Sequence, residues 1–219
     1  MRVFWTGQDV LVWLGLGLPS LLLGSTIANM IPKLQPLKPL AAQFIFYLIW
    51  FLLLQLLFRI KYAEPFWSSL GWIAPNRGLW LCLVSGPILA IALNLLAQVM
   101  KAQPADPPFQ DLLFNKRLQF VFGVASVLAG PLCEELAFRG FLMPLLAKWL
   151  GTAGGIIVTG ATFACAHGPQ YKWMWQYVAL LTIAGSVFGL VRWRYSSTMS
   201  SMVLHSSFNL TVFLAHIYG

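Results

Sequence analysis

Charge is what this chain has least of: 9% of its 219 residues are Asp, Glu, Lys or Arg, against 59% that are hydrophobic. That ratio excludes an ordinary soluble globule, which carries roughly a quarter charged residues, and equally a disordered chain. Acidic residues number six and histidines three, so chemistry that needs ionisable side chains has few positions to draw on. The three cysteines, Cys82, Cys133 and Cys165, form no CxxC pair and fall in apolar runs, which reads as buried small hydrophobes. Cys165 and His167 stand two apart on a helical run, where side chains do not face each other, so a thiol–imidazole pair is excluded. Also missing are a compact HExxH zinc motif, an internal repeat and a small-x-small cleavage site after the first apolar run.

What the chain does have is long oily stretches. Runs able to cross a hydrocarbon core of roughly 30 Å lie near residues 9–30, 39–60, 78–100, 118–147, 152–167, 174–192 and 197–217. They predict an all-α, polytopic membrane bundle of about seven transmembrane helices, with 1–219 as a single membrane domain. The fourth run is long and the fifth short, and Pro131 removes a backbone donor, so a tilt or break is expected near Gly130-Pro131. The net charge of +8 is dispersed through short loops, which fits lipid head groups rather than nucleic acid. Divided between the two sides of a seven-helix bundle, those basic residues split almost evenly and set no orientation. Residues 61–77, with Phe66, Trp67, Leu70 and Trp72, read as an amphipathic anchor in the interface. Residues 101–117, rich in proline, read as a hinge or lid.

Two of the six acidic residues sit together in the fourth run, in the stretch Gly130-Pro131-Leu132-Cys133-Glu134-Glu135-Leu136-Ala137-Phe138-Arg139-Gly140. A charge at bilayer depth costs roughly 2.5–3.5 kcal/mol on insertion scales, so a pair of carboxylates implies a purpose or a strong partner. Glu135 and Arg139 are four apart with the acid first, the order that favours an ion pair, while Glu134 is turned about 100° away. Glu134 is therefore the candidate general base. Farther on, Phe163-Ala164-Cys165-Ala166-His167 ends a run whose Gly154, Gly155, Gly160 and Ala161 allow close helix packing. His205 and Asn209 lie one turn apart on one face of the last run, about 6 Å along the axis, where both can reach one oxygen atom. His216 falls about 16 Å beyond His205 and is read as interfacial.

As a set, Glu134, His167, His205 and Asn209 supply a base, a second proton-handling group and donors for an oxyanion, the equipment for attacking a carbonyl with water. Glu134, His167 and His205 also offer ligands for zinc or another divalent metal, and the residues by themselves leave metal-assisted and metal-free chemistry both open.

The order EExxxR (Glu134, Glu135, Arg139), FxxxH (Phe163, His167) and HxxxN (His205, Asn209) resembles the CPBP, or Abi, family of intramembrane endopeptidases. That family includes type II CAAX prenyl endopeptidases and bacteriocin-processing or immunity proteins. The resemblance covers roughly residues 118–212, which it marks as the catalytic core. It implies peptide-bond hydrolysis in a cavity opening to the membrane: Glu134 activates water, His167 helps hold it, and His205 with Asn209 polarises the scissile carbonyl. Glu135, Arg139 and Phe163 then support the site. The implied partners are a peptide or membrane-associated protein substrate and the lipid bilayer, with no nucleic acid. The implied location is a plasma or inner membrane if the source is bacterial.

Two competing readings use the same polar cluster. A noncatalytic binding or immunity protein would hold a partner helix there. A proton-coupled transporter would use it as a relay, but transporters are commonly built from two related halves with interrupted segments, and no such repeat stands in this sequence.

Overall fold

A computed structural model describes residues 3–75, 78–103 and 115–218. Every regular element among them is helical. α1 spans Gly7–Asn29 and α2 spans Lys38–Tyr62. α3 spans Leu79–Val99, α4 Lys116–Ala166, α5 Trp175–Tyr195 and α6 Thr198–Tyr218. The first five are long and apolar enough to cross a membrane, and the protein is an integral membrane protein. α6 has the same length as α5 but carries Ser200, Ser201, His205, Ser206, Ser207 and Asn209, which lower its apolar character. Most of the expected lid, residues 104–114, lies outside the described residues, as does Arg77.

α4, at 51 residues, is too long for one crossing. It divides at Gly151, whose φ of 73° and ψ of 168° are open essentially to glycine alone. The chain reverses there, and a Cβ on Gly155 would sit 2.6 Å from the Ala147 backbone. Two antiparallel arms result, and with them seven helical rods among the described residues.

The break expected at Gly130-Pro131 is not there. Gly130 keeps a right-handed helical backbone, and the chain passes through it in two π-helical turns, Ala125–Ala129 and Leu136–Leu142, that flank the α-helical Gly130–Glu135. The wider turn before Pro131 takes up the missing donor without stopping the helix.

α1 starts with a capping box in which Thr6 and Asp9 satisfy each other's backbone amides. It pairs with α2 through Trp13 and Trp50, whose rings stack at 3.7 Å and 3°. Each indole N–H donates to the other residue's carbonyl, at 3.0 and 2.7 Å, so neither polar edge is left unpaired in lipid. This hairpin meets the rest of the bundle through Trp5, Trp13, Leu54 and Phe58 packed on Leu136, Phe141 and Leu145. A second core joins Cys82 and Leu93 of α3 to Phe163, Leu180, Ala184, Phe188 and Leu204.

The segment after α2 does more than anchor. Trp67 is exposed as expected, yet Leu70 is fully buried, and its carbonyl accepts from Thr198 Oγ1 at 2.6 Å. The Gly71 carbonyl accepts from the Thr198 amide, and Ser197 Oγ accepts from the Ser200 amide. The amino terminus of α6, two turns before His205, is thereby fixed.

The cysteine reading holds only in part. Cys82 is buried, Cys133 half-buried and Cys165 exposed, and all three are free thiols. Cys165 lies one residue before the end of the second arm of α4, with its side chain turned out of the bundle.

Candidate active site

Glu134 and Glu135 leave the same turn of α4 in different directions and meet different environments. Glu135 is wholly buried and accepts three hydrogen bonds. Arg139 Nη1 donates to Oε1 at 2.8 Å, His205 Nδ1 lies 2.9 Å from the same oxygen, and Ser201 Oγ lies 2.6 Å from Oε2. A carboxylate so surrounded is a structural anion, matching the expected ion pair between Glu135 and Arg139. Arg139, also fully buried, donates its other terminal nitrogen to the Gly185 carbonyl at 2.9 Å. Its guanidinium centre lies 4.7 Å from the Phe163 ring and 5.2 Å from Phe188, within cation–π range. Phe163 therefore supports the site by covering a charge.

Glu134 keeps 16% of its side chain accessible and faces the two histidines. Its Oε1 is 3.9 Å from His167 Nε2 and its Oε2 is 3.7 Å from His205 Nε2. Both separations are too long for direct hydrogen bonds, and one water bonded at about 2.8 Å to each partner would span either of them.

The far nitrogens settle which tautomer each ring presents. His167 Nδ1 lies 2.9 Å from the Phe163 carbonyl, and His205 Nδ1 lies against the Glu135 carboxylate; both partners can only accept. Nδ1 therefore carries the proton in each ring, and both Nε2 atoms turn a lone pair toward Glu134 in the neutral form. Phe188 stacks on His205 at 4.4 Å and 24°, and Phe163 lies 4.5 Å from His167, so both rings are clamped.

Asn209 lies one turn beyond His205 on the same wall. Its Nδ2 donates to the Ser126 carbonyl at 2.8 Å, in the π turn before Pro131, which leaves the amide a second N–H for the cavity. The four expected residues thus line one cavity of about 340 Å³, from both arms of α4 and from α6. His216, expected only at the interface, is exposed and also lines the cavity.

Several cavity residues escaped the sequence reading. Leu40, Gln43 and Phe44 bring α2 to the wall, and Gln170, Tyr171 and Tyr177 contribute from the turn after His167 and the start of α5. Tyr171 stacks on Tyr177 at 4.6 Å; burial pushes its phenol up from the ordinary value, with Tyr177 and Glu134 adding to the effect. It therefore stays a protonated donor at neutral pH. Ser201 and Phe188 were also missed. Ser201 sits four residues before His205, the same spacing that identified Asn209, so that signal was present; nothing in the sequence pointed to Phe188.

Among the described residues no group of three or more His, Cys, Asp or Glu side chains is gathered to hold an ion. Glu134 Oε1 and Oε2 stand 3.9 and 3.7 Å from the Nε2 atoms of His167 and His205.

Residues 116–211 match the family model described as type II CAAX prenyl endopeptidase Rce1-like. Over this stretch, less than half of its length, the chain is similar to the CAAX-protease-like family. The family segment holds Glu134, Glu135, Arg139, Phe163, His167, His205 and Asn209, and leaves the α2 wall outside it. No curated protein and no solved structure matches the chain.

Proposed function

We propose that this protein is an intramembrane endopeptidase that hydrolyses a peptide bond with water activated by Glu134. The observation that carries this reading is the meeting of one partly accessible carboxylate with two imidazole lone pairs in an apolar-walled cavity, where a water would bridge the carboxylate and either imidazole. Glu134 takes one proton from that water while one of the two imidazoles accepts its other hydrogen, and the hydroxide forms a bond to the scissile carbonyl carbon. Negative charge then gathers on the carbonyl oxygen. Asn209, with its remaining N–H, is the donor set for it; neutral His205 presents a lone pair and becomes a donor only after taking a proton. Glu134 returns its proton to the leaving nitrogen as the C–N bond breaks, which closes the balance of a hydrolysis.

The substrate in this reading is a peptide segment at the membrane with an apolar flank. Phe44, Phe122, Phe208 and Phe213 give the cavity that character, and it suits a prenylated chain or a bacteriocin-type peptide. The test is cleavage of a quenched fluorogenic peptide library, with farnesylated and unmodified members, by purified protein in lipid nanodiscs. Wild type cleaves, whereas Glu134→Gln and His205→Ala lose at least about 100-fold, the ordinary contribution of a positioned base. A correctly folded Glu134→Gln that keeps full activity would leave the noncatalytic binding protein as the better reading. Dialysis against a chelator leaves activity in place; loss reversed by added zinc would assign Glu134 to metal binding instead.

A further inference from the structure

Ser201 lies outside the three motifs that mark the site, yet its side chain is in contact with the group that sets His205. It is fully buried, its Oγ 2.6 Å from Glu135 Oε2 and 2.8 Å from the Phe188 carbonyl. A serine hydroxyl has one proton for these two acceptors. The Phe188 carbonyl, inside α5, already receives the helical amide four residues on, whereas Glu135 Oε2 has no other side-chain donor among the described hydrogen bonds. The shorter, charge-assisted contact takes the proton.

We infer that Ser201 is a positioning residue that acts through Glu135 on the imidazole of His205. With Oε2 held by Ser201, Glu135 offers Oε1 to both Arg139 and His205 Nδ1, and the Nδ1–H form of His205 keeps its Nε2 lone pair on the side of Glu134. Without the hydroxyl, Oε2 becomes a buried anionic oxygen with an unfilled acceptor site. The carboxylate then gains by turning both oxygens to the Arg139 fork, which loosens its hold on His205 Nδ1. The imidazole is freed to move its proton to Nε2, placing a donor where the proposed reaction needs an acceptor.

The inference rests on the reading of Glu134 as base, and the experiment separates the two. Ser201→Ala, Ser201→Cys, Ser201→Thr and Glu134→Gln are assayed with the same farnesylated and unmodified peptides in nanodiscs. Histidine-selective 15N NMR follows tautomers, which is tractable because the chain has three histidines. Ser201→Ala is expected to lower kcat about tenfold or more with KM unchanged, and to raise the Nε2-protonated share of His205. Ser201→Thr, which keeps the hydroxyl, restores both readouts toward wild type, and the weaker thiol donor of Ser201→Cys falls between. Should the alanine variant fail to fold, the threonine and cysteine variants carry the comparison. Folded variants that share the wild-type kcat and tautomer overturn the role of Ser201 while Glu134→Gln stays inactive; a fully active Glu134→Gln overturns the underlying reading instead.

Discussion

Adjacent carboxylates differ in what their removal costs because one is enclosed by donors and the other faces a cavity. Glu135 neutralises a fully buried Arg139, so Glu135→Gln strands that cation in a dry interior. Breaking a buried pair from one side costs about 3–5 kcal/mol, and the thermal midpoint of purified Glu135→Gln should fall accordingly. Glu134 has no such partner and keeps part of its side chain accessible. Glu134→Gln should melt within about 0.5 kcal/mol of wild type while losing cleavage, because it lies outside the usual mechanisms of destabilisation. Equal destabilisation of the two variants would contradict this division of labour. The acid–base contrast was legible in the sequence, since i and i+4 pairing selects Glu135 for Arg139 and turns Glu134 away. The tautomers of His167 and His205 were not, because they depend on a carbonyl and a carboxylate that only the fold places at their Nδ1 atoms.

Elements position these side chains by backbone approach as much as by side-chain packing. α5 crosses the second arm of α4 where Gly160 and Gly185 face each other: a Cβ on Gly185 would meet the Gly160 Cα at 2.9 Å and Arg139 Nη2 at 3.1 Å. Gly185→Ala therefore presses on the cation that holds Glu135. It should cost about 1–3 kcal/mol and lower activity as well, measured by thermal melting and cleavage on one preparation. Gly151→Ala tests the hairpin separately. Nothing lies within 4 Å of its added Cβ, so its cost, about 1–3 kcal/mol, comes from the backbone conformation alone, and cleavage by the folded fraction should be unchanged. The run boundaries were readable from hydropathy, including the separation of 118–147 from 152–167. The chain turns in that gap, at Gly151, while Pro131 is carried through a π turn. Whether a proline breaks a helix depends on what its neighbours can absorb, and that is a property of the packed bundle.

At the scale of the whole molecule, the family segment does not make the cavity by itself. Leu40, Gln43 and Phe44 of α2 form part of its wall, and Trp5, Trp13, Leu54 and Phe58 cover Leu136, Phe141 and Leu145 on the far side of the helix that carries Glu134. A fragment covering residues 115–219 should therefore be inactive and poorly folded, and co-expression of residues 1–103 should restore cleavage in membranes. Activity from the fragment alone would show that the amino-terminal helices are dispensable.

The sequence by itself determined that this is a membrane-spanning, all-α protein, because continuous apolar runs of about 20 residues, without the alternation of barrel strands, satisfy their backbone in lipid by coiling into helices. It also determined which polar residues stand out, since each buried polar group in such a chain carries a visible energetic cost. Only the tertiary structure decided that Glu134 faces two imidazole lone pairs, that Ser201 and Arg139 share Glu135, and that α2 completes the cavity wall. Those are relations between segments up to about a hundred or more residues apart along the chain, and helical periodicity carries information only within one.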